Sequence, residues 1–156
     1  VDALAHADLD LLLLAGRYTL LDQSALHELL PFCVARGTRI VLGGPFNSGI
    51  LATGARPADR RVAYFNYAPA SAEILERVQS IEAVCAAHRV SLKAAALQFP
   101  SAHPAIACVL AGARSEAELD ENIALASAPI PDAFWRDLRA QRLVSEAAPL
   151  PCDARR

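Results

Sequence analysis

Three short, mainly apolar runs, each followed by a glycine, recur along the chain. They are Leu9–Ala15, Arg39–Leu42 and Ile106–Ala111. Each run is too short for a helix and lacks regularly spaced polar positions, which predicts strands buried on both faces. Strands of this kind belong to parallel sheets that helices cover. The pattern therefore predicts an α/β fold.

Apolar residues at helical spacing fill the stretches between these strands. Segment 22–37 predicts two short helical pieces, with Pro31 in the first turn of the second and Gly37 at its end. Segment 52–69 shows no period, which predicts a long loop. The other predicted helices cover 71–88, 91–97, a stretch starting at Ser115, and 131–143, and the loop is expected to expose Arg56, Arg60 and Arg61.

A predicted helix start follows directly on the third strand. Ser115, with Glu118 three residues later, indicates a capping box that opens a helix. Leu119, Ile123 and Ala126 would share its apolar face. The free N–H groups of such a helix start, together with its dipole, favour an anion. The segment therefore predicts a phosphate site.

Two further loops are expected near that helix start. Arg17 and Tyr18 follow the first strand, Gly43–Gly49 follows the second, and Gly112–Ser115 follows the third. Ligands of parallel α/β proteins collect at the carboxyl ends of the strands. We therefore expect the three loops to converge on one side of the sheet.

Composition narrows the class of partner. The chain has 156 residues, enough for one domain with its own core. Its formal net charge is −2 and it has no run of Lys or Arg, which argues against nucleic acid or an anionic membrane surface. The longest apolar run is far shorter than the roughly 20 residues a membrane-spanning helix needs. Four scattered cysteines without C-x-x-C spacing suit buried thiols in the cytoplasm.

Three blocks of sequence carry a resemblance to a known family. They are Tyr18–Asp22, Gly44–Gly54, and Leu110–Ser115 followed by Glu121 and Asn122. In this order and spacing they resemble the C-terminal part of the aldo-keto reductases. Their residues are most similar to those of bacterial aldose (L-fucose and D-threo-aldose) dehydrogenases and pyridoxal dehydrogenases. The resemblance implies strands six to eight, with their helices, of a TIM (β/α)8 barrel.

By this resemblance, residues 1–150 form part of an NAD(P)-dependent oxidoreductase domain and 151–156 form a polar tail. The first residue, Val1, is not a Met, and we expect the chain to be part of something longer. The implied activity is hydride transfer with NAD(P), oxidising an aldose or related alcohol or reducing a carbonyl.

The same resemblance assigns the cofactor contacts. The glycine-rich loop would line the diphosphate, the turn after the third strand would hold the adenosine ribose, and the following helix would face the adenine. A carboxylate at Glu118 would repel the 2′-phosphate of NADP, which favours NAD. The implied cofactor-binding residues are Gly44, Pro45, Phe46, Asn47, Ser48, Gly49, Gly112, Ala113, Arg114, Ser115, Glu118, Glu121 and Asn122.

The chain departs from the family pattern at two positions that, by the resemblance, would contact the nicotinamide ring. Ala15 stands where a Gln is common, and Gly43 stands where an aromatic side chain stacks. Tyr18, Phe46 or a residue of the missing half could replace that aromatic platform, although an aromatic after a strand is more often core packing. The family's acid–base group of Asp, Tyr, Lys and His lies on the first four strands. We therefore assign no catalytic residue and no metal ligand, and expect the chain alone to be inactive.

Two other functions stay open at this point. One is a nucleotide-binding module that lacks the reductase half and associates with its own copy along the first strand. The other is a structural remnant without activity, since a fold does not fix a function. In the leading hypothesis, the partners are a sugar or alcohol substrate and the preceding half of the barrel.

Overall fold

A three-stranded parallel sheet forms the centre of the molecule. The computed structural model describes residues 6–58 and 62–153. The strands β1 (Leu11–Ala15), β2 (Arg39–Gly43) and β5 (Ile106–Leu110) lie in the order β1–β2–β5. Leu13 pairs in register with Val41, and Leu42 with Val109. The predicted strands and their parallel arrangement are confirmed.

Helices connect the strands and cover one face of the sheet. The helix nearest the C-terminus buries Phe134, Trp135 and Leu138 completely. The helices are α1 (Leu29–Arg36), α2 (Ile50–Thr53), α3 (Ala72–His88), α4 (Leu92–Gln98), α5 (Glu116–Ala126) and α6 (Asp132–Ala140), with short 3-10 turns at Ser24–Leu26 and Phe99–Ala102.

Side-chain caps begin three of these helices. The hydroxyl oxygens of Ser71, Ser91 and Ser115 accept hydrogen bonds from backbone N–H groups in the first turns of α3, α4 and α5. These bonds satisfy donors that a helix start leaves without a partner. Gly37 ends α1 in the left-handed conformation, at φ 72°. The element boundaries therefore follow from local chemistry that the sequence already shows.

The other face of the sheet is bare, which corrects the prediction of strands buried on both sides. Ile40 and Leu42 point into the core and are fully buried. On the opposite face, Leu11, Leu13 and Leu110 are 58%, 63% and 57% exposed. The described helices pack against one side only, so none of them covers these leucines. We call Leu11, Leu13, Cys108 and Leu110 the bare sheet face.

The predicted apolar face of α5 is also exposed. Leu119 and Ile123 are 49% and 61% exposed, whereas Asn122 of the same helix is buried. Helix α5 packs mainly on α4, and it turns its polar Asn122 inward while Leu119 and Ile123 face outward. The helix start was predicted correctly, but the buried side was not.

Segment 52–69 contains more structure than its lack of period suggested. It begins within α2 and ends in a hairpin of β3 (Tyr64–Phe65) and β4 (Ala68–Pro69), paired antiparallel. Arg56 is exposed, as expected, while Arg60 and Arg61 lie outside the described residues. A two-residue strand is too short to show alternation, so periodicity alone could not reveal the hairpin.

The chain after α6 returns to the core. Leu143, Val144, Ala148 and Leu150 are buried there. Within the predicted polar tail, Cys152 is buried, and residues 154–156 lie outside the described part.

The four cysteines are free, and Cys108 is the exposed one among them. Within 6–58 and 62–153, no helix has the length and apolar content to cross a membrane.

The exposure of the bare sheet face predicts how substitutions in the two layers change the free energy of unfolding. In this chain, Leu13→Gln should lower the free energy of unfolding by less than about 0.5 kcal/mol, because the side chain is already largely in water. Leu42→Ala, one strand over in the buried layer, should lower it by about 3 kcal/mol. Urea unfolding of both variants measures the two losses. Equal losses would show that the Leu13 face is covered.

Candidate functional site

A cavity of about 540 Å³ opens where the loop after β2 meets the start of α5. Of the three loops that were predicted to converge, those after β2 and β5 therefore border one space, whereas Arg17 and Tyr18 after β1 do not line it. Among the predicted cofactor-binding residues, Phe46, Ser48, Gly49, Gly112, Arg114, Glu118, Glu121 and Asn122 line it. Gly44, Pro45, Asn47, Ala113 and Ser115 are not among the lining residues.

The loop after β2 has an unusual backbone. Four of its residues have positive φ: Gly44 at 65°, Asn47 at 46°, Ser48 at 60° and Gly49 at 99°. Such angles are favoured by Gly and tolerated by Asn, which explains the Gly and Asn composition of the loop. Gly49 then begins the single turn of α2. The loop is therefore a tight backbone coil directed at the cavity.

Asn47 fastens this loop to the end of β1. Its side-chain oxygen accepts a hydrogen bond from the Thr19 hydroxyl at 2.5 Å. Its Nδ2 donates to the Gly16 carbonyl at 3.2 Å. Asn47 is 3% exposed, and both ends of its amide are bonded within the protein. This geometry gives Asn47 the role of positioning the loop.

The start of α5 combines a side-chain cap with an ion pair between Arg114 and Glu118. The Ser115 hydroxyl accepts from the Glu118 N–H at 3.2 Å, as the capping-box spacing predicted. The carboxylate of Glu118, however, accepts from the Arg114 N–H at 2.8 Å and from the Arg114 guanidinium at 2.8 Å. The reciprocal bond of the box therefore reaches Arg114 rather than Ser115. These hydrogen bonds hold the pKa of Glu118 below its ordinary value.

Asn122 brings an unused acceptor to the cavity. Its Nδ2 donates to the Gly112 carbonyl at 3.4 Å. Its Oδ1 is buried and has no hydrogen-bond donor among the described residues. Buried polar atoms are normally paired, so this unpaired oxygen of a cavity-lining residue is a candidate acceptor for a ligand. Asn122 is buried, not the solvated residue that an isolated Asn on a helix suggests.

Sequence reasoning missed Lys93, which also lines the cavity. Lys93 lies on α4, forms an ion pair with Glu121, and has a side chain only 14% exposed. Its Nζ lies 5.8 Å from the centroid of the Phe46 ring. The available signal was that this single lysine of the chain stands within the otherwise apolar run Leu92–Leu97.

The β3–β4 hairpin also borders the cavity, and the sequence did not predict it. Val62, Ala63 and Tyr64 line the cavity, and the backbone N–H of Tyr67 donates to the Ser48 hydroxyl at 3.0 Å. The hairpin thus forms one wall and is attached to the glycine-rich loop.

Tyr18 belongs to the core. It is fully buried, and its ring lies 5.3 Å from those of both Phe99 and His103. Burial raises its pKa well above the ordinary value of a phenol. Of the two proposed aromatic platforms, Phe46 therefore reaches the cavity and Tyr18 does not. The described residues also contain no group of three His, Cys, Asp or Glu side chains placed for a metal ion.

Comparison with known proteins identifies the class of molecule. The model of the aldo/keto reductase family matches residues 1–142. The chain is 45% identical over 144 residues to pyridoxal 4-dehydrogenase from Microbacterium luteolum, covering 92% of this chain and 41% of that protein. It is 40% identical over 142 residues to D-threo-aldose 1-dehydrogenase from a Pseudomonas species, covering 91% and 42%.

A solved structure agrees. Aldo-keto reductase AKR11C1 from Bacillus halodurans, in its holo form, superposes with a TM-score of 0.68 at 25% identity, over 96% of this chain and 47% of that one. The chain belongs to the aldo/keto reductase family, a family of oxidoreductases. It spans about two fifths of the length of the curated relatives it matches. The resemblance read from the three sequence blocks is confirmed.

The Asn47 contacts make a testable prediction. Asn47→Ala leaves the Thr19 hydroxyl and the Gly16 carbonyl without their partner, so it should lower the free energy of unfolding by about 2 kcal/mol. Asn66→Ala is the matched control, because Asn66 also has positive φ but an exposed side chain. Chemical denaturation compares the two variants. Equal losses would mean that backbone strain alone explains the effect.

Proposed function

We propose that this chain forms the part of an aldo/keto reductase that binds the adenosine and diphosphate of a nicotinamide dinucleotide. The proposal rests on one observation, that the loop after β2 and the segment from Gly112 to Asn122 border the same cavity. Members of this family use NAD(P)H in general. When bound, that cofactor supplies or accepts the hydride.

The residues present fit an adenine nucleotide. The orphaned Oδ1 of Asn122 is suited to accept a hydrogen bond from an exocyclic amine such as that of adenine. The exposed hydroxyl of Ser48 accepts from the Tyr67 N–H and keeps its own proton for a phosphate oxygen. The Gly-rich backbone around it allows close approach of a diphosphate. Loop and helix would thus hold opposite ends of one ADP group.

The cofactor we propose is NAD in preference to NADP. The Glu118 carboxylate lines the cavity and accepts from the backbone N–H of Arg114, at the place where a helix start would otherwise receive a phosphate. A 2′-phosphate there would face a like charge, whereas a ribose 2′-hydroxyl could donate to the carboxylate. Arg114 is already committed to Glu118, which limits its use as a phosphate ligand.

The reaction we propose is oxidation of an aldose or related alcohol, or reduction of a carbonyl. Two similar proteins are by name a pyridoxal dehydrogenase and an aldose dehydrogenase, which supports this substrate class. We propose that β1, β2 and β5 are strands six to eight of the barrel. The preceding strands would then cover the bare sheet face and carry the acid–base group.

A second candidate rests on the bare sheet face itself. A nucleotide-binding module without activity could associate with another copy along β1, an edge strand whose Leu11 and Leu13 are exposed. Hydride transfer by the 156-residue chain, with NAD and any aldose, would contradict both candidates. Activity that returns when the preceding half of the barrel is added would select the first.

Titration with NAD, NADP and ADP-ribose tests the cofactor assignment. We expect weak binding of all three by calorimetry, with NAD at least as tight as NADP. Glu118→Gln should improve the affinity for NADP relative to NAD by about threefold to tenfold, since it removes the like charge. Glu116→Gln, in the same helical turn, is the control and should leave the ratio unchanged. A clear NADP preference of the unaltered chain would reject the Glu118 argument.

A further inference from the structure

Four charged side chains line the cavity, and they differ in their access to water. Lys93 and Arg114 are the cations, and Glu118 and Glu121 are the carboxylates. The Arg114 side chain is 86% exposed, whereas that of Lys93 is 14% exposed. Solvent screens an exposed charge much more than a buried one. Lys93 is therefore the cation whose field is least screened inside the cavity.

Lys93 contacts both segments that form the site. Its ammonium pairs with Glu121 on α5 and lies over the ring of Phe46 in the loop after β2. Its charge also reaches Glu118: hydrogen bonds from Arg114 are the main cause of the lowered pKa of Glu118, and Lys93 contributes to it. Lys93 thus offsets part of the charge of both carboxylates.

The inference rests on the proposed function, in which the cavity binds an anion although two carboxylates line it. A diphosphate is an anion, and two carboxylates line the space it would enter. Without Lys93, those carboxylates would be balanced only by the exposed guanidinium of Arg114. We propose that Lys93 is a specificity-determining residue of the nucleotide site, which makes the cavity accept the phosphate-bearing part of an adenine nucleotide by neutralising Glu121 and Glu118.

The inference predicts that the effect of Lys93 grows with the charge of the ligand. Lys93→Met should weaken binding of ADP-ribose by about fivefold to tenfold and binding of uncharged adenosine by less than about twofold. The loss for ADP-ribose should shrink at high salt. Arg36→Met removes a cation from the last turn of α1, ahead of β2, that does not line the cavity, and is the control for net charge. It should change neither affinity.

A second substitution tests the neutralising role itself. In Lys93→Met/Glu121→Gln, one charge of each sign is gone, so affinity for ADP-ribose should return to within about threefold of the unaltered chain. A merely structural role for Lys93 would not be rescued by removing its partner. Lys93→Gln, which keeps a polar head group, replaces Lys93→Met if the latter does not fold, and the same results are expected.

Calorimetry of the 156-residue chain with ADP-ribose and adenosine, at low and high salt, gives a decision for each outcome. A charge-dependent loss with rescue supports the inference. Equal losses for the two ligands, no loss, or no rescue would overturn it while leaving the nucleotide site intact. Failure of the unaltered chain to bind either ligand would overturn the proposed function and this inference together.

Discussion

The amide of Asn47 is the contact on which the geometry of the site depends. It joins the ends of two parallel strands by bonding to Thr19 and Gly16, which follow β1, from a loop that follows β2. The loop itself runs through four positive φ angles and has little regular structure to hold it. A buried amide with both ends bonded supplies the missing rigidity, because breaking either bond would leave a buried polar group unpaired. The backbone that faces the cavity is thus held in place before any ligand arrives.

The one-sided packing of the sheet sets the second constraint. Helices and the C-terminal segment bury Ile40, Leu42 and the aromatic residues of α6, which gives the chain a core of its own. The bare sheet face and the exposed Leu119 and Ile123 lie outside that core. In a closed barrel, inward-facing side chains of alternate strands fill the interior. The alternating exposure along β1 agrees with our proposal that this face points into a barrel interior, and the chain matches about two fifths of each relative.

Most of the fold could be predicted from the sequence, because its signals are local. The serine caps, Gly37 and the spacing of apolar residues in α6 each act within a few residues. Whether one or both faces of the sheet are buried could not be predicted, because an apolar run has the same pattern in both cases. The site divides in the same way: the turn at Gly112–Ser115 and the glycine-rich loop are visible as motifs. Lys93 and the hairpin reach the cavity only through tertiary packing, which no short spacing encodes.

The helix start at Ser115 shows why a motif alone is an incomplete guide to a binding site. A free helix N-terminus favours any anion, and the capping-box spacing suggested a phosphate there. In the structure the carboxylate of Glu118 already accepts from the Arg114 N–H, so the position that would attract a second phosphate is taken by the protein's own anion. The place we propose for a diphosphate is the loop around Ser48, where the backbone is held by Asn47 and Lys93 lies near the Phe46 ring. In the proposed function, the charges of the cavity therefore divide the site into an end for the phosphates and an end for a sugar hydroxyl and a base.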